Sequence, residues 1–200
     1  MSLRSALRAT SLWLAQVLLS PLLLLCWIER RMGFGEQVFT TGAQFLSLAP
    51  GAPGSLLRKA FYMATLDGCA DRAYVSIGTL IAHRDAVVFP DAYIGAYCII
   101  GSVTIGEAVN IASRVSITSG RHQHPPGAAG APVFRRLTIG DRAWIGEGAI
   151  VMADVGADAV VGAGSVVVRD VPAGATVVGN PAREVGASGQ SRVAPGPSGR

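Results

Sequence analysis

The sequence predicts an all-β protein built as a parallel β-helix of about five coils, because of its composition and a six-residue repeat. Half of the 200 residues are apolar, 15% are charged and 25 are glycine, which excludes a disordered chain and is typical of short strands joined by tight turns. A period of six fits neither an amphipathic helix nor an alternating strand. It fits a three-sided coil in which each hexapeptide supplies one inward aliphatic side chain. In interrupted runs, the repeat places Val88, Ile94, Ile100, Ile105, Ile111, Ile117, Ile139, Ile145, Val151, Val161 and Val167 inside.

The N-terminal part, residues 1–32, is predicted to be a hydrophobic, membrane-associating helix. Residues 12–28 are nearly all apolar, and basic residues flank them on both sides: Arg4, Arg8, Arg30 and Arg31. As a helix this segment is about 26 Å long, at the short limit for a bilayer core of about 30 Å. Pro21 is expected to bend the helix, and Trp13 and Trp27 suit the lipid interface near its ends. Packing on the protein and a signal peptide are the alternatives.

Composition divides the rest of the chain into three parts. Residues 33–72 are a predicted connector with turns at its Pro-Gly pairs and a short helix after Ser55, the expected N-cap. Residues 73–185 carry the β-helix, and residues 186–200 have a Gly, Pro and Ser composition that predicts a disordered tail.

Charge and cysteine usage exclude several classes of protein. The formal net charge is only +4, and the scattered arginines form no basic patch with interleaved aromatic residues, so no nucleic-acid partner is expected. The three cysteines, Cys26, Cys69 and Cys98, are widely spaced and odd in number. They indicate a reducing compartment rather than a disulfide framework or a zinc-cysteine site.

The repeat is interrupted between Ile117 and Ile139 by a loop over residues 118–136. A long excursion from a rigid coil is where function is usually found. Two of the three histidines, His122 and His124, lie in this loop.

Four motifs give the chain its resemblance to a known family: VTIGEAVNIASRVSITSGRH at 103–122, LTIGDRAWIGEGAIV at 137–151, VVGAGSVVVRDVP at 160–172 and GNPAR at 179–183. Residues 75–185 resemble the hexapeptide-repeat acyltransferases, which are left-handed parallel β-helices, and are most similar to the sugar and polysaccharide O-acetyltransferases. The resemblance implies acetyl-CoA as co-substrate, no metal, and a homotrimer with the co-substrate in a groove between subunits.

The resemblance also implies roles for individual residues. His122 matches the general base, and a neutral imidazole suits that task. Acceptor contacts are expected from His124, Arg121, Tyr97 and His83. Cofactor contacts are expected from Trp144, Ala163, Gly164, Ser165, Arg169 and Arg183. The chain departs from the family where GAYCIIGS lacks an acceptor-contacting asparagine and where VMADVGADAVV is a shortened turn.

The resulting expectation is an acetyl-CoA-dependent O-acetyltransferase acting on a sugar or lipid-linked saccharide at the cytoplasmic membrane face. Keeping both basic flanks of residues 12–28 on that side requires a bent, monotopic anchor, and deletion of residues 1–32 is expected to release an active, soluble trimer. An N-acyltransferase acting on an amino-sugar uses similar residues. A γ-type carbonic anhydrase with zinc on His83, His122 and His124, or a non-catalytic scaffold, are further alternatives.

Overall fold

The computed structural model describes residues 3–118 and 135–185, with side chains from residue 9 onward. Four helices come first: α1 Leu3–Leu18, α2 Ser20–Met32, α3 Gln37–Ser47 and α4 Gly51–Thr65. Short strands follow: β1 Gly68–Cys69, β2 Tyr74–Val75, β3 Leu80–Ile81, β4 Val87–Val88, β5 Tyr93–Ile94, β6 Ile99–Ile100, β7 Val103–Ile105, β8 Asn110–Ile111, β9 Ser116–Ile117, β10 Leu137–Ile139, β11 Trp144–Ile145, β12 Ile150–Val151, β13 Val160–Val161, β14 Val166–Val167, β15 Thr176–Val178 and β16 Arg183–Glu184.

The strands build the predicted parallel β-helix, whose coils stack to form three sheets. Sheet A contains β1, β4, β7 and β10; sheet B runs from β2 through β5, β8, β11, β13 and β15 to β16; and sheet C contains β3, β6, β9, β12 and β14. All pairs are parallel except β15–β16, where the chain turns back and ends the stack. In the fifth coil, single bridges at Val155 replace a sheet A strand, as the shortened turn requires.

The hexapeptide repeat marks the inside of this β-helix. Aliphatic residues of successive coils are register partners, as Ile94 and Ile111 are in sheet B and Ile100 and Ile117 are in sheet C. Every aliphatic residue assigned to the repeat is buried. The predicted fold class is confirmed.

Small residues let neighbouring coils approach at the corners. At Gly146, an added Cβ would lie only 2.5 Å from the backbone nitrogen of Ala163 on the next coil. A larger residue there would push the two coils apart.

The helical region is larger than the sequence indicated. The hydrophobic segment forms two helices, which diverge by 71° at the predicted Ser20–Pro21 bend. Helix α3 was missed within the connector, and α4 begins at Gly51 rather than after Ser55. Pro53 is tolerated in the first turn of α4, where backbone N–H groups have no intrahelical partner.

A buried ion pair joins the helices to the first coil. Glu29 of α2 and Arg84 are both nearly inaccessible to solvent, and the Arg84 guanidinium donates to the Glu29 carboxylate. Glu29 also accepts from the backbone N–H groups of Val38, at 2.6 Å, and Phe39, at 3.2 Å, at the start of α3. Arg84 donates further to the carbonyl of Cys26 at 2.9 Å. We call this arrangement the Glu29–Arg84 joint.

Helices α1 and α2 present one face to the protein and one to the outside. Ala15, Leu19 and Cys26 are buried, whereas Trp13 is 62% exposed and Trp27 is 58% exposed. No single helix in the described ranges is long and apolar enough to cross a bilayer; residues 9–18 and 20–32 together meet the criteria of length and composition, as a bent pair.

Candidate functional site

The predicted functional loop leaves the β-helix between its third and fourth coils. On its two sides the coils stay in register: Ser116 pairs with Ile150 and Val103 pairs with Leu137. The insertion therefore leaves the stacking of the coils undisturbed. Arg121, His122 and His124 lie outside the described residues.

Two arginines fix the point where the chain returns from this loop. Arg135 pairs with Asp154, which also accepts the backbone N–H of Thr138 at 2.8 Å. Arg136 lies 3.2 Å from the carboxylate of Asp67 and 3.7 Å from that of Asp85. The sequence analysis missed both arginines, although two adjacent cations at the end of a loop were a visible signal.

The predicted cofactor residues of the fourth and fifth coils lie on adjoining turns. Trp144 on β11 is exposed and is the register partner of Val160 on β13. The corner that follows β11, at Gly146, lies against Ala163 of the next coil. Ala163 and Gly164 are exposed, and a Cβ added at Gly164 would meet nothing within 4 Å. Together these residues form a shelf that is open to solvent.

Some polar groups at this shelf already form hydrogen bonds within the protein. The backbone N–H of Gly164 donates to the carbonyl of Glu147 at 2.8 Å. The hydroxyl of Ser165 is buried and accepts the backbone N–H of Gly179 at 3.1 Å. The small side chain of Ser165 therefore has a structural task in the last coil.

The two predicted phosphate-binding arginines both lie near the end of the β-helix and are exposed. Arg169 follows β14, and Arg183 lies on the returning strand β16, where it donates to the carbonyl of Ala182 at 2.9 Å. Neither guanidinium is buried, so both are accessible to an anionic ligand.

His83 and Tyr97 lie on the first two coils, away from the fifth-coil shelf. His83 Nδ1 is 3.2 Å from Glu36 Oε2. This hydrogen bond raises the pKa of His83 and lowers the pKa of Glu36. Tyr97 is exposed in a turn with φ of 58°, and its ring lies against Gly78. The structure thus gives each residue a structural contact, while their acceptor-binding roles stay predictions.

The cysteines and the possible metal ligands are the remaining reactive side chains in the described part of the chain. Burial raises the pKa of Cys69 to about 11 and also raises the pKa values of Cys26 and Cys98, so these cysteines are protonated at neutral pH. Within residues 9–118 and 135–185, no three His, Cys, Asp or Glu side chains are grouped to hold a metal ion.

Comparison with known proteins links this geometry to acetyltransferases. A maltose O-acetyltransferase from Clostridium difficile 630 is 25% identical, with a TM-score of 0.66, over 75% of this chain and 84% of that one. The chain has the fold of the hexapeptide-repeat acetyltransferases. A galactoside acetyltransferase in complex with coenzyme A shares that fold, with a TM-score of 0.58, 21% identity and coverage of 75% of this chain and 79% of that one.

A sequence relative agrees with this fold. Nodulation protein L of Rhizobium leguminosarum bv. viciae is 50% identical over an alignment of 98 residues that covers 46% of this chain and 52% of that protein. The matched part thus spans about half the length of this curated relative. No protein-family model matches the chain. Within the acetyltransferase fold, the VTIG and LTIG motifs form β7 and β10, and GNPAR connects β15 to β16.

Proposed function

We propose that the protein is an acetyl-CoA-dependent O-acetyltransferase that acts on a hydroxyl of a sugar or polysaccharide precursor. The supporting observation is the single insertion, bearing His122, into a β-helix whose register continues across it. A rigid stack of coils can supply a fixed surface for the co-substrate, and the loop can supply the base. The likeness to a maltose O-acetyltransferase supports a sugar acceptor.

His122 is the proposed general base. A sugar hydroxyl is a poor nucleophile at neutral pH, and an imidazole with an ordinary pKa near 6.5 can accept its proton. As the proton moves to His122, the hydroxyl oxygen bonds to the acetyl carbonyl carbon. The carbon–sulfur bond then breaks, and the proton on His122 returns to the leaving thiolate. General-base catalysis of this kind contributes about 10²–10⁴ in rate.

The shelf at Ala163 and Gly164, with Trp144 beside it, is the proposed site for acetyl-CoA. The co-substrate supplies an acetyl group activated as a thioester. The open space over Gly164 leaves room for an extended arm. Arg169 and Arg183 are positioned near the end of the β-helix to pair with phosphate groups, an interaction that guanidinium geometry favours.

We further propose a homotrimer held at the cytoplasmic membrane face. The exposed apolar side chains of α1 and α2, among them Trp13 and Trp27, suit insertion into one leaflet. Arg31 in the last turn of α2 suits contact with anionic headgroups, whereas the neighbouring Arg30 pairs with Asp67 at 3.0 Å. Light scattering of the full chain in detergent is expected to give the mass of three chains.

The activity test uses the purified full chain with acetyl-CoA and two small acceptors, maltose and glucosamine. Mass spectrometry is expected to detect an acetyl ester, which mild alkali removes; an alkali-stable amide would favour the N-acyltransferase. His122→Ala is expected to lower kcat about 100-fold or more with unchanged affinity for acetyl-CoA. The matched variant His124→Ala is expected to be milder. Near-normal turnover by His122→Ala would contradict the assignment of the base.

A further inference from the structure

The outward side of sheet B carries a column of aromatic and amide side chains on four successive coils. Register pairs Tyr74 with Tyr93, Tyr93 with Asn110, and Asn110 with Trp144. All four side chains are solvent-exposed; Tyr74, Tyr93 and Trp144 are 38%, 45% and 41% accessible. The rings of Tyr74 and Tyr93 are parallel, with centroids 5.2 Å apart. We call these four residues the sheet B column.

The other two sheets have different outward surfaces. Sheet C presents a mainly aliphatic column: Leu80, Ile99, Ser116, Ile150 and Val166. Sheet A presents Val87, Thr104 and Thr138. Outward aromatic side chains on strands are thus confined to sheet B in the described part of the β-helix. An aliphatic column suits contact with another apolar protein surface, whereas the sheet B column adds phenol, amide and indole groups that exchange hydrogen bonds.

A cleft extends the sheet B column toward the helices. It has a volume of about 540 Å³ and lies between α4 and the first coil, lined by Gly51, Ala52, Ser55, Leu56, Lys59 and Tyr74. Ser55 and Lys59 add a hydroxyl and an ammonium group to its wall. At the opposite end, Trp144 belongs to the coil that follows the His122 loop. The column therefore runs from the helical region to the coil that follows the loop, on the face opposite the corner where the chain leaves β9 of sheet C and returns to β10 of sheet A.

We propose that the sheet B column and this cleft bind an oligosaccharide, the part of the acceptor remote from the hydroxyl that is acetylated. Trp144, which the proposed function also places beside acetyl-CoA, is then the end of the column where the two ligands meet. Aromatic rings offer an apolar surface to the C–H faces of a sugar, and their polar tips, with the Asn110 amide, bond its hydroxyls. The column covers three strand spacings, about 14 Å, which exceeds a single sugar ring. This inference rests on the proposed function and specifies the acceptor as a saccharide chain.

The test is binding of the full chain, in detergent, to an array of immobilised neutral and acidic oligosaccharides. The wild type is expected to bind at least one saccharide, and Tyr93→Ala to bind it about tenfold more weakly, through loss of one aromatic contact. Tyr93→Phe, which keeps the ring, is expected to lie between them. Phe89→Ala is the matched control, because Phe89 is an exposed aromatic residue of the same coil outside the column. It is expected to bind as the wild type does.

Each alternative outcome has a defined meaning. Absence of binding to every saccharide, or equal losses in Tyr93→Ala and Phe89→Ala, would overturn the inference. A lower oligomeric mass for Tyr93→Ala alone, measured by light scattering, would assign this face to a subunit contact and also overturn it. Acetyl transfer by the wild type to maltose is measured on the same preparation. Transfer to maltose without saccharide binding refutes this inference only, and binding without transfer either to maltose or to the bound saccharide refutes the proposed function.

Discussion

Replacement of Arg84 by Met tests the Glu29–Arg84 joint. The variant keeps much of the side-chain length and removes the charge, which leaves the Glu29 carboxylate buried without its cation; Glu29 is 5% exposed. Breaking a buried ion pair by removing one partner costs about 3–5 kcal/mol. For a chain of this size, each kcal/mol lowers Tm by about 2–4 °C, so the expected decrease in Tm is about 6–20 °C.

A double variant separates loss of the charge pair from loss of packing. Glu29→Gln with Arg84→Met removes both charges and keeps one side-chain oxygen, which can accept from only one of the two backbone N–H groups, of Val38 and Phe39, that the two Glu29 oxygens accept. We expect it to recover part of the lost stability, because no uncompensated charge is then buried. Arg114→Met is the control, since the Arg114–Glu147 pair is well exposed and such pairs contribute at most about 1 kcal/mol.

The measurement is thermal unfolding of the full chain followed by circular dichroism, with hydrogen exchange at the first amides of α3. Exchange there should accelerate in Arg84→Met, because the same carboxylate holds the start of that helix. If Arg84→Met is no less stable than Arg114→Met, or if the double variant is as unstable as Arg84→Met, the electrostatic reasoning is wrong.

Three further predictions concern pH, coil stacking and membrane topology. The His83–Glu36 contact, which Asp85 also faces, should stabilise the protein most between about pH 4.5 and 6.5, the ordinary pKa values of Glu36 and His83. This stabilisation is lost as pH rises through the raised pKa of His83, and also as pH falls through the lowered pKa of Glu36. The wild type should therefore lose stability relative to His83→Asn between pH 6.5 and 8. Gly146→Ala should cost about 1–3 kcal/mol in denaturant unfolding through the clash with Ala163, whereas Gly174→Asn should be tolerated, because Asn adopts the left-handed conformation and the site is open. Arg4→Cys and Arg31→Cys should both resist labelling from outside intact cells; labelling at position 4 alone would show that the segment spans the membrane.

The β-helix could be predicted from the sequence because its rule is local. Each hexapeptide places one aliphatic residue, such as Ile94, against its equivalent one coil away, and this repeats along the chain. Helix α3 follows no such rule, since Thr40, Thr41 and Gly42 are weak helix formers. The helix is instead stabilised by tertiary packing. It lies so close to Leu22 and Phe61 that a Cβ added at Gly42 would be 3.0–3.1 Å from their side chains.

The candidate site was only partly predictable for a related reason. The proposals for His122 and for the co-substrate shelf came from motifs that are continuous in sequence, and they stay predictions. Arg136 contacts Asp67 from 69 positions away, and Arg84 contacts Glu29 from 55 positions away. Short-range sequence patterns do not predict such pairs, because only the folding of the coils brings the two residues together. The sheet B column was missed because it requires the register between coils, which the repeat alone does not specify.

The structure shows that the hydrophobic N-terminal segment has one buried face and one exposed face. The sequence offered membrane association and packing on the protein as alternatives, whereas α1 and α2 bury Ala15 and Cys26 and expose Trp13 and Trp27. Packing on the protein then describes one face, and membrane association stays the proposal for the other. Deletion of residues 1–32 would remove Glu29 and leave the Arg84 guanidinium without its anion, so release of an intact, active trimer is no longer expected. Membrane attachment must instead be tested on the full chain, by changing only the outward face: Trp13→Gln with Trp27→Gln should weaken vesicle binding while the Glu29–Arg84 joint, and with it the fold, stays intact.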